Sequence, residues 1–196
     1  IYLSIRVYDP NEPLNQMFVL LKADILLHSQ AGKAAWQQLY NRGESSAMLF
    51  SKAAVLENPS TEGFFRIFPE YVSFVSQVET SYAGYTFPGF DNFTVTERFA
   101  GAGNLASYAL GNELLRATFT DGGKEGEGMF SASVVDFGSL PITDGTLINY
   151  QLQTVDGGYY MAYNIMAITA AKDTFIEWES VLSECLKTLE YSGSFV

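Results

Sequence analysis

Residues 114–137, LLRATFTDGGKEGEGMFSASVVDF, decide the architecture of the second half of this chain. Leu114 to Thr120 reads as a strand, Asp121-Gly122-Gly123-Lys124 as a turn and Gly128 to Phe137 as the returning strand. Asp-Gly between two strand patterns is the composition of a tight hairpin turn, because its central residues need positive φ. Leu147 to Thr154, Asp156-Gly157-Gly158 and Tyr159 to Thr169 repeat the pattern. Two consecutive hairpins imply antiparallel pairing. The period then changes. In residues 174–189, TFIEWESVLSECLKTL, the side chains of Phe175, Trp178, Leu182, Cys185 and Leu189 form one helical stripe, widened by Val181 and Leu186. Thr174 with Glu177 fits a capping box, in which each side chain satisfies a free backbone amide. Burying five such side chains supplies on the order of 10 kcal/mol of gross driving force, so this helix is expected to pack on the sheet.

Working outward, Tyr2 to Tyr8 alternates, with Leu3, Ile5 and Val7 on one face and Ser4 and Arg6 on the other. Asp9-Pro10-Asn11-Glu12-Pro13 breaks this strand and suits the start of a helix. Leu14, Phe18, Leu21 and Ile25 recur at spacings of three to four, which predicts a helix from Leu14 to His28. A second helix is expected from Lys33 to Tyr40, ended by Asn41-Arg42-Gly43. Asn58-Pro59-Ser60-Thr61-Glu62 signals a further helix running to about Val78, capped by Ser60 or Thr61 and interrupted near Pro69. Tyr82 to Phe93 reads as a loop at the junction of the two halves. Phe93, Val95 and Phe99 then alternate with Thr94, Thr96 and Arg98, as in a strand with one wet face. The expected fold class is α+β: a helical N-terminal half followed by an antiparallel sheet of hairpins packed against a C-terminal amphipathic helix. Residues 1–90 form the helix-rich segment and 91–196 the sheet with its last helix, as two units or as one continuous domain.

The composition is that of a globular chain: 196 residues, 47% hydrophobic, 15% aromatic and 17% charged. A net charge of −11 with no cluster of Lys and Arg disfavours nucleic acid and anionic membranes as partners. One cysteine, Cys185, excludes an intrachain disulfide and a cysteine-rich zinc site. No apolar run reaches the ~18–20 residues that span a bilayer. Ile1 stands within a strand-like segment and is not Met, as expected either of a trimmed chain or of a mature product whose leader, anchor or upstream domain has been removed. No location is assigned, and export or the cell surface is the expectation in the second case.

The order of antiparallel hairpins, final amphipathic helix and the ending Tyr191-Ser192-Gly193-Ser194-Phe195 resembles the PsbP-like fold over roughly Phe93 to Val196. In that group the last helix packs across the sheet and a Ser-Phe pair follows it. The resemblance implies an accessory or binding module, often exported, and brings no catalytic residue with it. A helical first half is not part of what it implies.

Candidate chemistry is sparse. Gly101-Ala102-Gly103-Asn104-Leu105-Ala106 matches a loose dinucleotide pattern, but the preceding strand carries Thr94, Thr96, Glu97 and Arg98, whereas a central parallel strand is apolar on both faces. No cofactor is assigned. His28, the single histidine, would lie one helical turn from Asp24, as an ordinary polar pair. Cys185 reads as a small buried hydrophobe on the last helix. Asp121, Glu125 and Glu127 crowd a glycine-rich hairpin without the spacing of a calcium loop, so no metal is assigned. Asn92-Phe93-Thr94 is a formal glycosylation sequon, meaningful only in a eukaryotic secretory pathway. The positive sign is the concentration of Tyr82, Tyr85, Phe87, Phe90 and Phe93 in twelve residues, where aromatic rings can line a ligand groove or cap the junction. These five are the expected ligand-binding residues. The functional expectation is a non-catalytic binding or accessory module for an unidentified protein, peptide or small molecule. The alternatives are a carboxylate-dependent hydrolase and a structural assembly component, and no catalytic residue is assigned.

Overall fold

The computed structural model describes residues 4–43, 45–78, 85–101, 109–143 and 152–189. Its centre is a six-stranded antiparallel sheet of order β1-β2-β6-β5-β4-β3. The strands are β1 (Ser4–Asp9), β2 (Glu12–His28), β3 (Asp91–Ala100), β4 (Ala109–Asp121), β5 (Lys124–Thr143) and β6 (Leu152–Ala171). Short helices α1 (Gln30–Asn41), α2 (Met48–Lys52), α3 (Thr61–Arg66) and α4 (Phe68–Val78) lie between β2 and β3, and α5 (Phe175–Lys187) follows β6.

The helical N-terminal half is overturned: residues 4–28 form the hairpin β1–β2, and the helices after it are small. Residues 14–28 are strand because Met17-Phe18-Val19-Leu20-Leu21 is a continuous apolar run buried on both sides of a sheet. Such a run also satisfies a helical spacing if only every third or fourth residue is counted. Leu14, Phe18 and Leu20 enter one core, whereas Met17, Val19 and Leu21 enter the other. Asp9-Pro10-Asn11-Glu12 is a hairpin turn, not a helix start. The Asp9 carboxylate accepts from the Asn11 amide at 2.8 Å, an Asx turn that replaces a backbone hydrogen bond. Pro13 is tolerated because pairing of β2 with β6 begins only at Gln16. The sheet therefore takes strands from both sides of residue 90.

The later elements follow their local signals more closely. Ser29 caps α1 by accepting from Gly32 N at 3.1 Å, and Gly43 leaves that helix at φ +99°. Ser60 caps α3 by accepting from Gly63 N at 3.0 Å, and Pro69 sits in the first turn of α4, where its missing N–H is not needed. Gly122 and Gly123 make the β4–β5 turn with φ +58° and +84°, the primed geometry that Asp-Gly-Gly-Lys implied. The second Asp-Gly-Gly, 156–158, lies inside β6, where Gly158 pairs with Ser139 beside irregular register. The β5–β6 connection falls within 144–151, outside the described residues.

Two cores flank the sheet. On one side α3, α4 and the segment 85–90 bury Phe64, Phe65, Phe68, Phe87 and Phe90 against Phe18, Phe93, Phe119 and Phe130 of the strands. On the other, α5 lays Phe175, Trp178, Leu182, Leu186 and Leu189 on Met17, Val19, Met166 and Ile168. The packing of α5 agrees with the expected stripe in four of its five positions; Cys185 is exposed instead of buried. The capping box is also absent, since the Thr174 hydroxyl donates to the Ala171 carbonyl at 2.7 Å and makes no cap to the helix amides.

Candidate functional site

β1 is an edge strand, and its even residues Ser4, Arg6 and Tyr8 share the face turned toward the segment 85–90. The β1–β2 and β4–β5 turns lie at the same end of the sheet, joined by Lys124 Nζ and Glu12 at 3.0 Å. These three pieces enclose a cleft of about 400 Å³. Arg6 and Tyr8 form one wall, Thr86 and Phe87 a second, and Asp121, Gly122 and Lys124 a third, with Pro13 and Leu14 below.

The polar groups of the cleft are held by the fold. Arg6 donates from Nε to Gln16 Oε1 at 2.7 Å and from Nη1 to the Thr86 carbonyl at 3.0 Å. Its guanidinium lies 4.9 Å from the centre of the Tyr8 ring, a cation–π contact that stiffens an exposed aromatic wall. Asp121 accepts from Gly89 N at 3.0 Å. A Cβ on Gly89 would stand 2.6 Å from the same carboxylate, so glycine is required for that approach. Under Arg6, Gln16 is fully buried, and among the described residues its Nε2 has no acceptor. The Arg6 bond fixes that orientation of the amide. Burial pushes the Tyr85 phenol up from its ordinary value, with the Ser4 hydroxyl and the Arg6 charge pulling the other way, so the group is a neutral phenol near pH 7.

The five residues expected to bind ligand separate. Phe87 edges the cleft while being mostly buried, and Tyr85 is half-buried behind it, their rings 4.7 Å apart. Phe90 and Phe93 are core residues: Phe90 packs on Phe68, Phe119 and Phe130 at 5.1 Å each, and Phe93 stacks on Phe65 at 5.4 Å. Neither ring can touch a ligand from outside, because strand β3 begins at Asp91 and draws the end of the loop under the helices. Tyr82 lies outside the described residues.

The other candidates also disperse. Asp24 and His28 both belong to strand β2, where residues four apart are not neighbours as they are on a helix. Gly101 continues an antiparallel edge, its N donating to Asn112 O at 3.1 Å, which is not the strand-to-helix turn a dinucleotide needs. Residues 102–108 lie outside the description. Of the acidic hairpin, Asp121 holds Gly89 and Glu125 pairs with Lys172 at 2.9 Å. Among the described residues no group of three metal-ligating side chains comes together, and no helix is long and apolar enough to cross a membrane. Arg6, Tyr8, Glu12 and Lys124 were not legible as site residues. The one available signal was Arg6 on the polar face of β1, and its partners come from turns far away in sequence.

No family model, no curated protein and no solved structure matches this chain.

Proposed function

We propose that this protein is a non-catalytic binding module, and that its ligand is a small polar molecule with one flat face, the chemistry of a sugar ring or an aromatic heterocycle. The carrying observation is the state of the cleft's charged groups. Arg6, Glu12, Asp121 and Lys124 balance in sign, and each is engaged by a neighbour. Such groups form a rigid hydrogen-bonding rim, while Tyr8 offers a flat apolar wall. A volume of about 400 Å³ suits a ligand of that size. The final helix lying across an antiparallel sheet supports the same reading, since it is the arrangement on which the resemblance to the PsbP-like fold and its accessory modules rests.

The test is a thermal-shift panel of neutral saccharides and nucleobase-like heterocycles on the wild type, Tyr8→Ala and Lys124→Ala. A ligand present at a hundred times its Kd stabilises by about 2.7 kcal/mol, and that gain should vanish in Tyr8→Ala. A panel without any shift, or a shift kept by Tyr8→Ala, would remove the cleft from consideration. The hydrolase alternative keeps one observation in its favour, because Glu12 and Asp121 both line the cleft. Turnover of a glycoside that Glu12→Gln abolishes would establish it in place of the binding reading.

A further inference from the structure

The two faces of the sheet are unequally covered. Six strands span about 24 Å at ~4.8 Å between neighbours, and one helix covers a width of about 10 Å. Of the described helices, only α5 contributes side chains to the core on its side. Its 13 residues reach about 20 Å, against about 66 Å for the 20 residues of β6. Beside α5, over β4, β5 and β6, lies an apolar crevice of about 260 Å³ floored by Leu114, Met129, Met166 and Ile168. Glu179, Ser183 and Leu186 of α5 form its wall. Glu179 and Ser183 form a flank beside the buried stripe, and Leu186 belongs to both, with a small residue at the centre of the wall. The same face continues as Phe99, 39% exposed beside Leu114, and as Phe137, 44% exposed and stacked on Tyr159 at 5.5 Å.

We propose that this face is the docking surface for an amphipathic α-helix of a partner protein, apolar on one side and flanked by Lys or Arg. A helix laid next to α5 would complete the layer at the usual 8–10 Å axial spacing, its apolar residues entering between Met129, Met166 and Leu186. Methionine adapts its shape to such an entering side chain. The sign of the partner's charge follows from the rim. Glu179 on α5 and Glu97, which pairs with Arg116 across β3–β4, edge this face, and neither is bridged to a cation among the described residues. The nearby cations are used elsewhere: Arg116 lies over the Phe175 ring at 5.5 Å, and Lys187 pairs with Glu184 at 2.7 Å. The overall charge of −11 steers in the same direction. This surface is on the opposite side of the sheet from the helices α3 and α4 and does not depend on the reading of the Arg6 cleft.

The experiment titrates the whole chain with an 18-residue amphipathic peptide of Leu and Lys, followed by anisotropy and by methyl NMR of its methionines. Controls are the same residues scrambled and a Leu/Glu amphipathic peptide. The expected result is a micromolar Kd for the Leu/Lys helix, at least tenfold weaker binding of both controls, and shifts at Met129 and Met166 but not at Met48. Leu114→Asp and Glu179→Lys should each weaken binding at least fivefold. Glu179→Lys alters only the rim, so it stands as the test if Leu114→Asp fails to fold. Equal binding of the scrambled peptide, shifts elsewhere, or full affinity in Glu179→Lys would overturn the proposal. A stable dimer in sedimentation that occludes the same methyls would replace it with self-association.

Discussion

The two faces of this sheet solve the same problem with different materials. The face under α3 and α4 is sealed by phenylalanine: Phe130 alone meets Phe65, Phe90, Phe93 and Phe119 with ring centres 4.9–5.8 Å apart, mostly edge to face. Edge-to-face pairs add about 0.5–1.5 kcal/mol beyond the burial of area, and they fix the rings against one another. The α5 face uses aliphatic and methionine side chains, with Phe175 as its one phenylalanine in the buried cluster. The difference teaches where adaptability has been left. A mesh of interlocked rings tolerates little change, whereas a face built from Met17, Met129 and Met166 can repack around something new.

Three measurements separate the faces. Phe130→Ala should have the largest effect, a loss of about 3–5 kcal/mol in urea unfolding, because a fully buried ring leaves a hole among four others. A loss near 1 kcal/mol would mean that the ring mesh relaxes and that the two faces do not differ as described. Leu182→Ala on α5 should cost about 2–5 kcal/mol, smaller than Phe130→Ala in the same assay, since Leu182 is 7% exposed on a thinner layer. An unchanged unfolding midpoint would detach α5 from the sheet altogether.

The smallest effect belongs to a charge. Glu62 of α3 accepts from Arg98 and pairs with Arg66 at 2.6 Å, and Glu113 also binds Arg98 at 3.0 Å. The hydrogen bond from Arg98 holds the Glu62 carboxyl below the ordinary value of 4.5, against the opposing effect of burial. A depressed value in the folded state means stability that is fully present above about pH 4.5 and is lost as the pH falls through the lower, folded value. Glu62→Gln should therefore lower stability slightly above about pH 4.5 and converge with the wild type in acid, which flattens the acid limb of stability against pH. A mutant curve parallel to the wild type below pH 4.5 would show that this cluster contributes nothing.

Legibility followed the range over which each signal acts. The Gly122-Gly123 turn, the Ser60 cap and the start of α4 at Pro69 depend on neighbours within four residues, and their sequence signs were sufficient. The β1–β2 hairpin was missed because a doubly buried strand carries no alternation; its apolar run imitates a helix until a second apolar layer is known to exist. Identical triplets were resolved differently for a similar reason. Asp121-Gly122-Gly123 turns, while 156–158 stays within β6, where the strand is paired with β5 on either side of it at Thr154 and Gly158. Of the expected aromatic site, Phe87 and Tyr85 sit at or behind the cleft, but composition could not tell them from Phe90 and Phe93, which differ only in where β3 begins. The exposure of Cys185 follows from the narrow contact stripe of α5, through Phe175, Trp178, Leu182, Leu186 and Leu189, which leaves the flank of Val181 and Cys185 in solvent.

One irregularity in β6 governs which residues belong to which face. Asn164 adopts φ +50°, and between Tyr163 and Met166 the strand carries one residue more than its partner β5. Before that point Tyr160 and Ala162 belong to the phenylalanine core; after it Ile165 and Ala167 do. The bulge thus acts as a phase marker in the strand, comparable to a reading frame. If the bulge were drawn into regular alternation with the residue kept, every side chain would be chemically unchanged, yet inside and outside would exchange along one arm of β6, placing Met161 and Tyr163 beneath the helices and Ala162 on the open face. Asn164→Val, which opposes the left-handed backbone of the bulge, should therefore destabilise far more in urea unfolding than Asn164→Gly, which keeps both the count and that backbone.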